Sequence, residues 1–427
     1  MEKIVITGGR RLSGAVGVTG AKNAAVAILP ATILAQGKCV VENLPDIADV
    51  RAIKRILAEL GAEVEFEDGV MTVDTTNVFT SEVTISIVKK LRASYYFVGA
   101  LLPRFGYTNI YLPGGCSIGE RPIDQHQKGL EALGATIVTK YSMLKADASG
   151  GLKGADIYMD KVSVGATINI MLAAVLAQGN TTIVNAAKEP HVVDVANFLV
   201  CMGAKIKGAG TDVIRIIGVE KLNGCNYSII PDQIEAGTLM IAAAATRGEV
   251  TINNVIPVHM EALSAKLTEM GVSITKGADY IRVKCGGQLK SVHIKTMPYP
   301  GFPTDLQQPS TVLLSTAKGI SLITESIFES RFKHINEIRR MGANITIEDK
   351  VAVVEGVEKL TGAAVRATDL RAGAALIVAG LMADGVTEIH NVIYIDRGYD
   401  HIEDKLRSLG ADIRREIVDR EEDSDYY

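Results

Sequence analysis

One short pattern recurs six times along the 427-residue chain: a bulky apolar residue, a glycine and a small or apolar residue. Its copies are Leu60-Gly61-Ala62, Leu133-Gly134-Ala135, Met202-Gly203-Ala204, Met270-Gly271-Val272, Met341-Gly342-Ala343 and Leu409-Gly410-Ala411. The glycines lie 73, 69, 68, 71 and 68 residues apart. Spacing this regular divides the chain into six supersecondary units of similar length. Each tripeptide follows an amphipathic stretch. In the first unit Val50, Ile53, Ile56, Leu57 and Leu60 form one apolar stripe, with Arg51, Lys54, Arg55 and Glu59 opposite. The glycine then supplies a left-handed C-cap. A short β-branched strand follows, such as Glu63-Val64-Glu65 or Asn344-Ile345-Thr346, and the chain turns back at segments such as Glu67-Asp68-Gly69.

A second kind of helix is apolar on nearly every side: Ala24 to Ala35, Ile168 to Ala177, Gly237 to Ala245, Thr311 to Ala317 and Gly373 to Met382. Such a helix has to be buried all round, and its alanines permit close approach. The expected architecture is therefore α/β with helices inside each domain and sheets outside, three units to a domain. An ordinary layered α/β fold accounts less well for six regular units. The midpoint of the repeats puts a boundary near Ser228 to Pro231. The strand Ile4 to Ile6 precedes the first apolar helix and can join the C-terminal half, so the chain would cross twice and form a hinge. The expected domains are residues 22–230, and residues 1–21 together with 231–427.

Composition narrows the function. Forty-five Lys plus Arg against 49 Asp plus Glu leave a net charge of −4, with no general basic field for nucleic acid or an anionic membrane. An anionic ligand must meet a local cluster of basic groups. The start, MEKIVITGGRRLSG, has no apolar signal core, and no apolar run approaches the roughly 18 residues of a membrane span. A cytosolic protein is expected. Five scattered cysteines, Cys39, Cys116, Cys201, Cys225 and Cys285, form no CxxC pair, and the seven histidines form no HExxH pattern. Neither a disulfide framework nor a zinc site follows.

Three segments place reactive or charged groups beside glycines. Thr19-Gly20-Ala21-Lys22-Asn23 opens the first apolar helix, where orphan N–H groups and an ammonium suit a phosphate. Taken alone, a lysine such as Lys22 is more often a solvated helix-start residue than a ligand. Leu112 to Asp124 carries three glycines, Cys116 and Arg121. A thiol there should be accessible and acidified, although Cys116 also reads as a small buried residue, the reading given to the other four cysteines. In Gly301-Phe302-Pro303-Thr304-Asp305, Asp305 precedes a helix and is either an N-cap or a catalytic base. Arg371 and Arg397 lie next to glycines at expected helix starts, each alone a surface ion-pair partner.

Taken together, these segments resemble the enolpyruvyl transferase family, in its branch acting on UDP-N-acetylglucosamine. GAKNA at Gly20 to Ala24, LRAS at Leu91 to Ser94, PGGCSIGERPID at Pro113 to Asp124 and GFPTD at Gly301 to Asp305 occur in the family's order. ESRF at Glu329 to Phe332, DLRAG at Asp369 to Gly373 and IDRGY at Ile395 to Tyr399 complete the series. The resemblance implies two inside-out α/β barrel domains, each of three βαβαββ repeats, with the active site in the interdomain cleft and a mobile catalytic loop at 113–121. It implies transfer of the enolpyruvyl group of phosphoenolpyruvate to the sugar 3′-hydroxyl by addition and elimination, at the first committed step of peptidoglycan synthesis. Phosphoenolpyruvate would meet Lys22, Asn23, Arg121, Arg331, Arg371 and Arg397, since convergent bidentate arginines let an acidic chain bind a multiply charged anion. The nucleotide sugar would contact Asn23, Arg92, Arg121, Pro122, Ile123, Asp124, Gln125, Lys161, Val162, Ser163, Val164, Asp305 and Ile327.

Catalysis would fall to Cys116, Asp305 and Lys22. Cys116 would act as general acid and covalent attachment point, the natural target of fosfomycin, and Asp305 as proton acceptor. The family requires no metal or organic cofactor, and nothing in the chain calls for nucleic acid, a membrane or an obligate protein partner. Two other readings remain: the shikimate-pathway enolpyruvyl transferase, which lacks the PGGC loop, and a non-catalytic nucleotide-sugar sensor.

Overall fold

The computed structural model describes residues 2–83, 92–111, 123–141 and 143–417, the side chain of Arg92 excepted. Twelve α-helices lie among them. In chain order they are α1 (Lys22–Ala31), α2 (Ala48–Glu59), α3 (Tyr96–Phe105), α4 (Asp124–Ala132), α5 (Val164–Ala174), α6 (Pro190–Cys201), α7 (Gln233–Ala245), α8 (Glu261–Glu269), α9 (Gln307–Leu314), α10 (His334–Arg340), α11 (Leu370–Met382) and α12 (Ile402–Ser408).

The odd-numbered helices are the apolar kind. In α9 every residue is buried, and in α1 every residue but Asn23. Sequence reading locates five of these six. The sixth, α3, carries Tyr96, Pro103 and Arg104 in place of an Ala-rich run. It packs against α5 at Gly99, where an added Cβ would lie 2.3 Å from the Asn169 side-chain oxygen. That oxygen instead accepts the Gly99 N–H at 2.7 Å.

The even-numbered helices end in the six tripeptides. All six glycines are left-handed, with φ between 95° and 109°. In the first copy Ala62 N–H donates to Leu57 O and Gly61 N–H to Ala58 O, both at 3.0 Å. This is the Schellman arrangement, which satisfies carbonyls that the helix end would otherwise leave open. The same two bonds recur at the other five copies. The repeat is thus a set of helix stops, each needing a residue that tolerates positive φ. A Cβ at Gly271 would meet nothing within 4 Å, so Gly271→Ala isolates the backbone cost. It should lower stability by about 1–2 kcal/mol and the melting temperature by a few degrees, measurable by calorimetry.

Six four-stranded sheets share one pairing pattern. Lys38–Glu42 runs parallel to Asn226–Ser228 and antiparallel to Val70–Asp74, which pairs antiparallel with Glu63–Glu67. Strands alternate buried and exposed residues, as in Tyr280–Lys284, so one face covers the core and the other meets solvent.

The chain forms two compact units. One holds the described residues between 20 and 230, with α1 to α6 and three sheets; its core includes Ile28, Phe97 and Ile170. The other holds residues 2–19 and 231–417, with α7 to α12, three sheets and a core that includes Met240, Leu313 and Leu376. The strand Glu2–Thr7 lies between Val386–His390 and Asp412–Ile417, and Ser13–Gly17 pairs with Glu249–Asn253. The first strands of the chain therefore complete sheets of the second unit. Among the described residues no helix is long and apolar enough to cross a membrane.

Candidate active site

The unit formed by residues 2–19 and 231–417 gathers Asp305, Arg331 and Arg371 from three distant segments. Asp305 lies in the 3-10 turn Thr304–Leu306 that leads into α9. It does not cap that helix; Leu306 occupies the N-cap position, so the capping alternative is set aside. Its carboxylate accepts from Arg331 Nη2 at 2.6 Å and from Arg371 Nη2 at 3.0 Å. Both arginines are 3% exposed, which corrects the surface ion-pair reading of Arg371. Arg371 is the second residue of α11, whose N-cap Asp369 accepts the N–H groups of Arg371 and Ala372 at 2.9 and 3.0 Å. Its guanidinium lies over the Tyr399 ring at 5.4 Å. Arg397 sits two residues before that ring, half-buried in a turn well ahead of α12 and not at a helix start.

Arg331 is fixed from a second direction. Its Nη1 donates to Thr304 Oγ1 at 2.8 Å, and that hydroxyl donates to Glu325 Oε2 at 2.7 Å. The other Glu325 oxygen accepts from the Thr296 hydroxyl and from the N–H groups of Ile327 and Phe328. Glu325 therefore shapes the loop from Ser326 to Arg331, which leaves Ile327 exposed at 38%. Glu325→Gln converts one acceptor into a donor facing other donors. It should cost about 1–3 kcal/mol, read as a lower denaturation midpoint with faster proteolysis after residue 326.

The electrostatics follow from this geometry. Burial pushes the Asp305 carboxyl up, but Arg371 and Arg331 outweigh it and hold the group well below the usual carboxylate range. Arg331 Nε and Arg371 Nη1 are buried and have no hydrogen-bond partner among the described residues. Unmet cationic donors beside an ionised carboxylate suit a planar anion that presents two oxygens.

In the unit of residues 20–230, Lys22 is the first residue of α1 and is buried, its Nζ 2.9 Å from Asp49 Oδ2. Asn23 follows it, half-buried. At the start of α4, Gln125 donates to Asp124 Oδ2 at 2.9 Å and to Asp160 Oδ2 at 3.3 Å, and accepts Asp160 N–H at 2.9 Å. Lys128 also pairs with Asp160, at 2.7 Å. These contacts bring Asp124 and Gln125 to the loop of Lys161, Val162, Ser163 and Val164. Lys161 is exposed, and Ser163 caps α5 by accepting Ala166 N–H. Ile123 is the half-buried residue just before α4. Cys116, Arg121, Pro122 and the rest of the 113–121 loop lie outside the described residues, as does the Arg92 side chain.

The expectation that Cys39, Cys201, Cys225 and Cys285 are all buried needs correction. Cys39 and Cys285 are buried, Cys225 is half-buried and Cys201 is exposed at the last turn of α6. Sequence reading also passed over Glu325, Asp49, Asp160 and His126. The His126 ring, tilted against Tyr95 with centroids 5.6 Å apart and 3.0 Å from Asn169, is held neutral by burial, its pKa lowered to about 4. An acidic residue directly after a strand, as at Glu325, was the faint available signal; each of the others is polar in a polar stretch.

The profile of the EPSP synthase (3-phosphoshikimate 1-carboxyvinyltransferase) family matches residues 6–406. The chain belongs to that family of enolpyruvyl transferases. UDP-N-acetylglucosamine 1-carboxyvinyltransferase 2 of Clostridium acetobutylicum is 59% identical over 98% of this chain and 100% of its own length. The UDP-N-acetylglucosamine 1-carboxyvinyltransferase 2 of Bacillus subtilis is 57% identical over 99% and 98%. Among solved structures, the enolpyruvyl transferase NikO from Streptomyces tendae matches with a TM-score of 0.89 at 27% identity, covering 98% of this chain and 99% of NikO. EPSP synthase from Acinetobacter baumannii, with a TM-score of 0.77 at 19% identity over 98% and 100%, shows the fold alone. Within this enolpyruvyl transferase the half-buried Asp305 and the buried Arg331 and Arg371 come from the GFPTD, ESRF and DLRAG segments that carried the resemblance.

Proposed function

We propose that this enolpyruvyl transferase moves the enolpyruvyl group of phosphoenolpyruvate to the 3′-hydroxyl of UDP-N-acetylglucosamine with release of phosphate, in the cytoplasm, as the first committed step of peptidoglycan precursor synthesis. One observation carries the choice of acceptor. Relatives named for UDP-N-acetylglucosamine are 57–59% identical over nearly the whole chain, whereas EPSP synthase structures reach 19–20%.

The hydroxyl oxygen adds to C2 of phosphoenolpyruvate while C3 takes a proton, and loss of a C3 proton then expels phosphate. Cys116 delivers the first proton and can hold the enolpyruvyl group covalently. Asp305 accepts the hydroxyl proton and then the methyl proton. Arg331 and Arg371 receive the carboxylate of phosphoenolpyruvate through their unmet donors, and Lys22, Arg121 and Arg397 hold its phosphate. Asp305 starts as a weak base, because two guanidiniums stabilise its charge. An incoming carboxylate shares those guanidiniums, raises the basicity of Asp305 and so couples substrate arrival to proton acceptance. Asn23, Arg92, Ile123 to Gln125, Lys161 to Val164 and Ile327 contact the nucleotide sugar.

The test is phosphate release from phosphoenolpyruvate with either UDP-N-acetylglucosamine or shikimate 3-phosphate as acceptor. Release with the first alone is expected. Release only with shikimate 3-phosphate would overturn the acceptor, and binding of the nucleotide sugar without release would favour the sensor reading.

A further inference from the structure

Three cysteines remote in sequence meet on the unit of residues 20–230, where none belongs to the proposed chemistry. Parallel pairing sets Asn226 opposite Val40 and Tyr227 opposite Val41. One step back along the same register, Cys225 stands opposite Cys39, and the Val40 N–H donates to the Cys225 carbonyl at 2.9 Å. In a parallel pair, opposite residues point to the same face. Cys39 is in the core and Cys225 packs against that core. Neighbouring strands lie about 4.8 Å apart, inside the Cα separation a disulfide spans. The third thiol, Cys201, closes α6 at the surface. Its Sγ reaches the Asn226 carbonyl at 3.6 Å, and Cys225 interacts with the thiols of both Cys39 and Cys201. The series thus runs from exposed to half-buried to buried through touching neighbours.

The thiols are not alike. The hydrogen bond from Cys225 holds the Cys39 thiol below its usual range against the effect of burial, and the same bond is the main cause that pushes Cys225 up. Thiols in contact with one another are suited to thiol–disulfide exchange.

We propose that Cys201, Cys225 and Cys39 form a thiol relay that takes up a hydroperoxide at the surface and stores the oxidation as a Cys39–Cys225 disulfide between paired strands. Cys201 attacks the peroxide; an S–O bond forms, the O–O bond breaks, and hydroxide leaves and takes the thiol proton as water. Cys225 sulfur attacks the resulting sulfenic acid, forming S–S and breaking S–O, and the second hydroxide leaves with the Cys225 proton as water. Cys39 then attacks Cys225, and Cys201 departs as thiolate and receives the Cys39 proton. Overall two thiols and one hydrogen peroxide give one disulfide and two waters. Cys201 is regenerated and so escapes irreversible oxidation.

The full chain is treated with one equivalent of hydrogen peroxide, alkylated with iodoacetamide and mapped by mass spectrometry without reduction. Wild type should show Cys39 joined to Cys225 with Cys201 alkylated, all reversed by dithiothreitol. In Cys39→Ser the bond should stop at Cys201–Cys225. Cys225→Ser should reduce cross-linking at least tenfold and leave Cys201 as sulfenic acid, the state that one equivalent of peroxide reaches, trapped with dimedone. Sulfenic Cys201 in wild type with Cys39 and Cys225 both alkylated would overturn the relay. So would a Cys39–Cys225 bond that forms as fast in the surface variant Cys201→Ser as in wild type.

Discussion

An Asp305→Asn variant is expected to lose about a thousandfold in kcat, the scale of a lost proton-transfer group, while UDP-N-acetylglucosamine binds within a few-fold of wild type. Steady-state phosphate release and calorimetric titration separate the two effects. An activity close to wild type would remove Asp305 from the reaction. The substitution also leaves the buried Arg331 and Arg371 without the carboxylate that both engage. The expected loss of stability is roughly 1–3 kcal/mol, below the figure for a fully buried pair because solvent screens a partly exposed carboxylate. The pH dependence has a definite sign. Because the folded carboxyl is held below its usual value, its stabilising contribution is complete above the unfolded pKa of about 3.9. It is lost only as pH falls through the lower folded value. The stability gap between wild type and Asp305→Asn should therefore be constant at neutral pH and narrow in strong acid.

The second large effect concerns Cys116 and fosfomycin, an epoxide phosphonate. Complete inactivation is expected, with one adduct per chain, located on Cys116 by peptide mapping. General thiol reagents give a different map, because Cys201 is exposed and should label readily with iodoacetamide. In the proposed site the phosphonate provides the discrimination, since Arg121, five residues after Cys116 in the chain, and Lys22 are assigned to the phosphate. Cys116→Asp should retain turnover and resist the drug, because a carboxylic acid can donate the proton yet attacks the epoxide poorly. An adduct on Cys39, Cys201, Cys225 or Cys285 would reject the assignment, as would inactivation of Cys116→Asp at the wild-type rate.

The proposed site was legible where the chemistry depends on residue type next to glycine or a helix start. Lys22, Asp305 and Arg371 were singled out because a helix beginning exposes N–H groups and anchors a side chain, and the structure places Arg371 two residues after the cap residue Asp369. Glu325 was not legible. Its importance lies in accepting from Thr296 and Thr304, residues 29 and 21 positions away, and no local pattern encodes such a meeting. Asp49 was hidden for the same reason, as a helix-start acid whose partner Lys22 lies on the preceding helix.

By itself the sequence determined the six-unit architecture, because a helix stop is a local event. Six left-handed glycines and two hydrogen bonds per stop are fixed by residues within one turn of each tripeptide. It also determined five of the six buried helices, since a segment apolar on every side has no face to offer water. Only the tertiary structure decided which strands complete which sheet, that Asp305 receives two guanidiniums instead of capping a helix, and that three scattered cysteines stand together. Each of these depends on contacts between residues tens to hundreds of positions apart. Their distances are set by packing around a shared core, and a linear pattern carries periodicity but not that geometry.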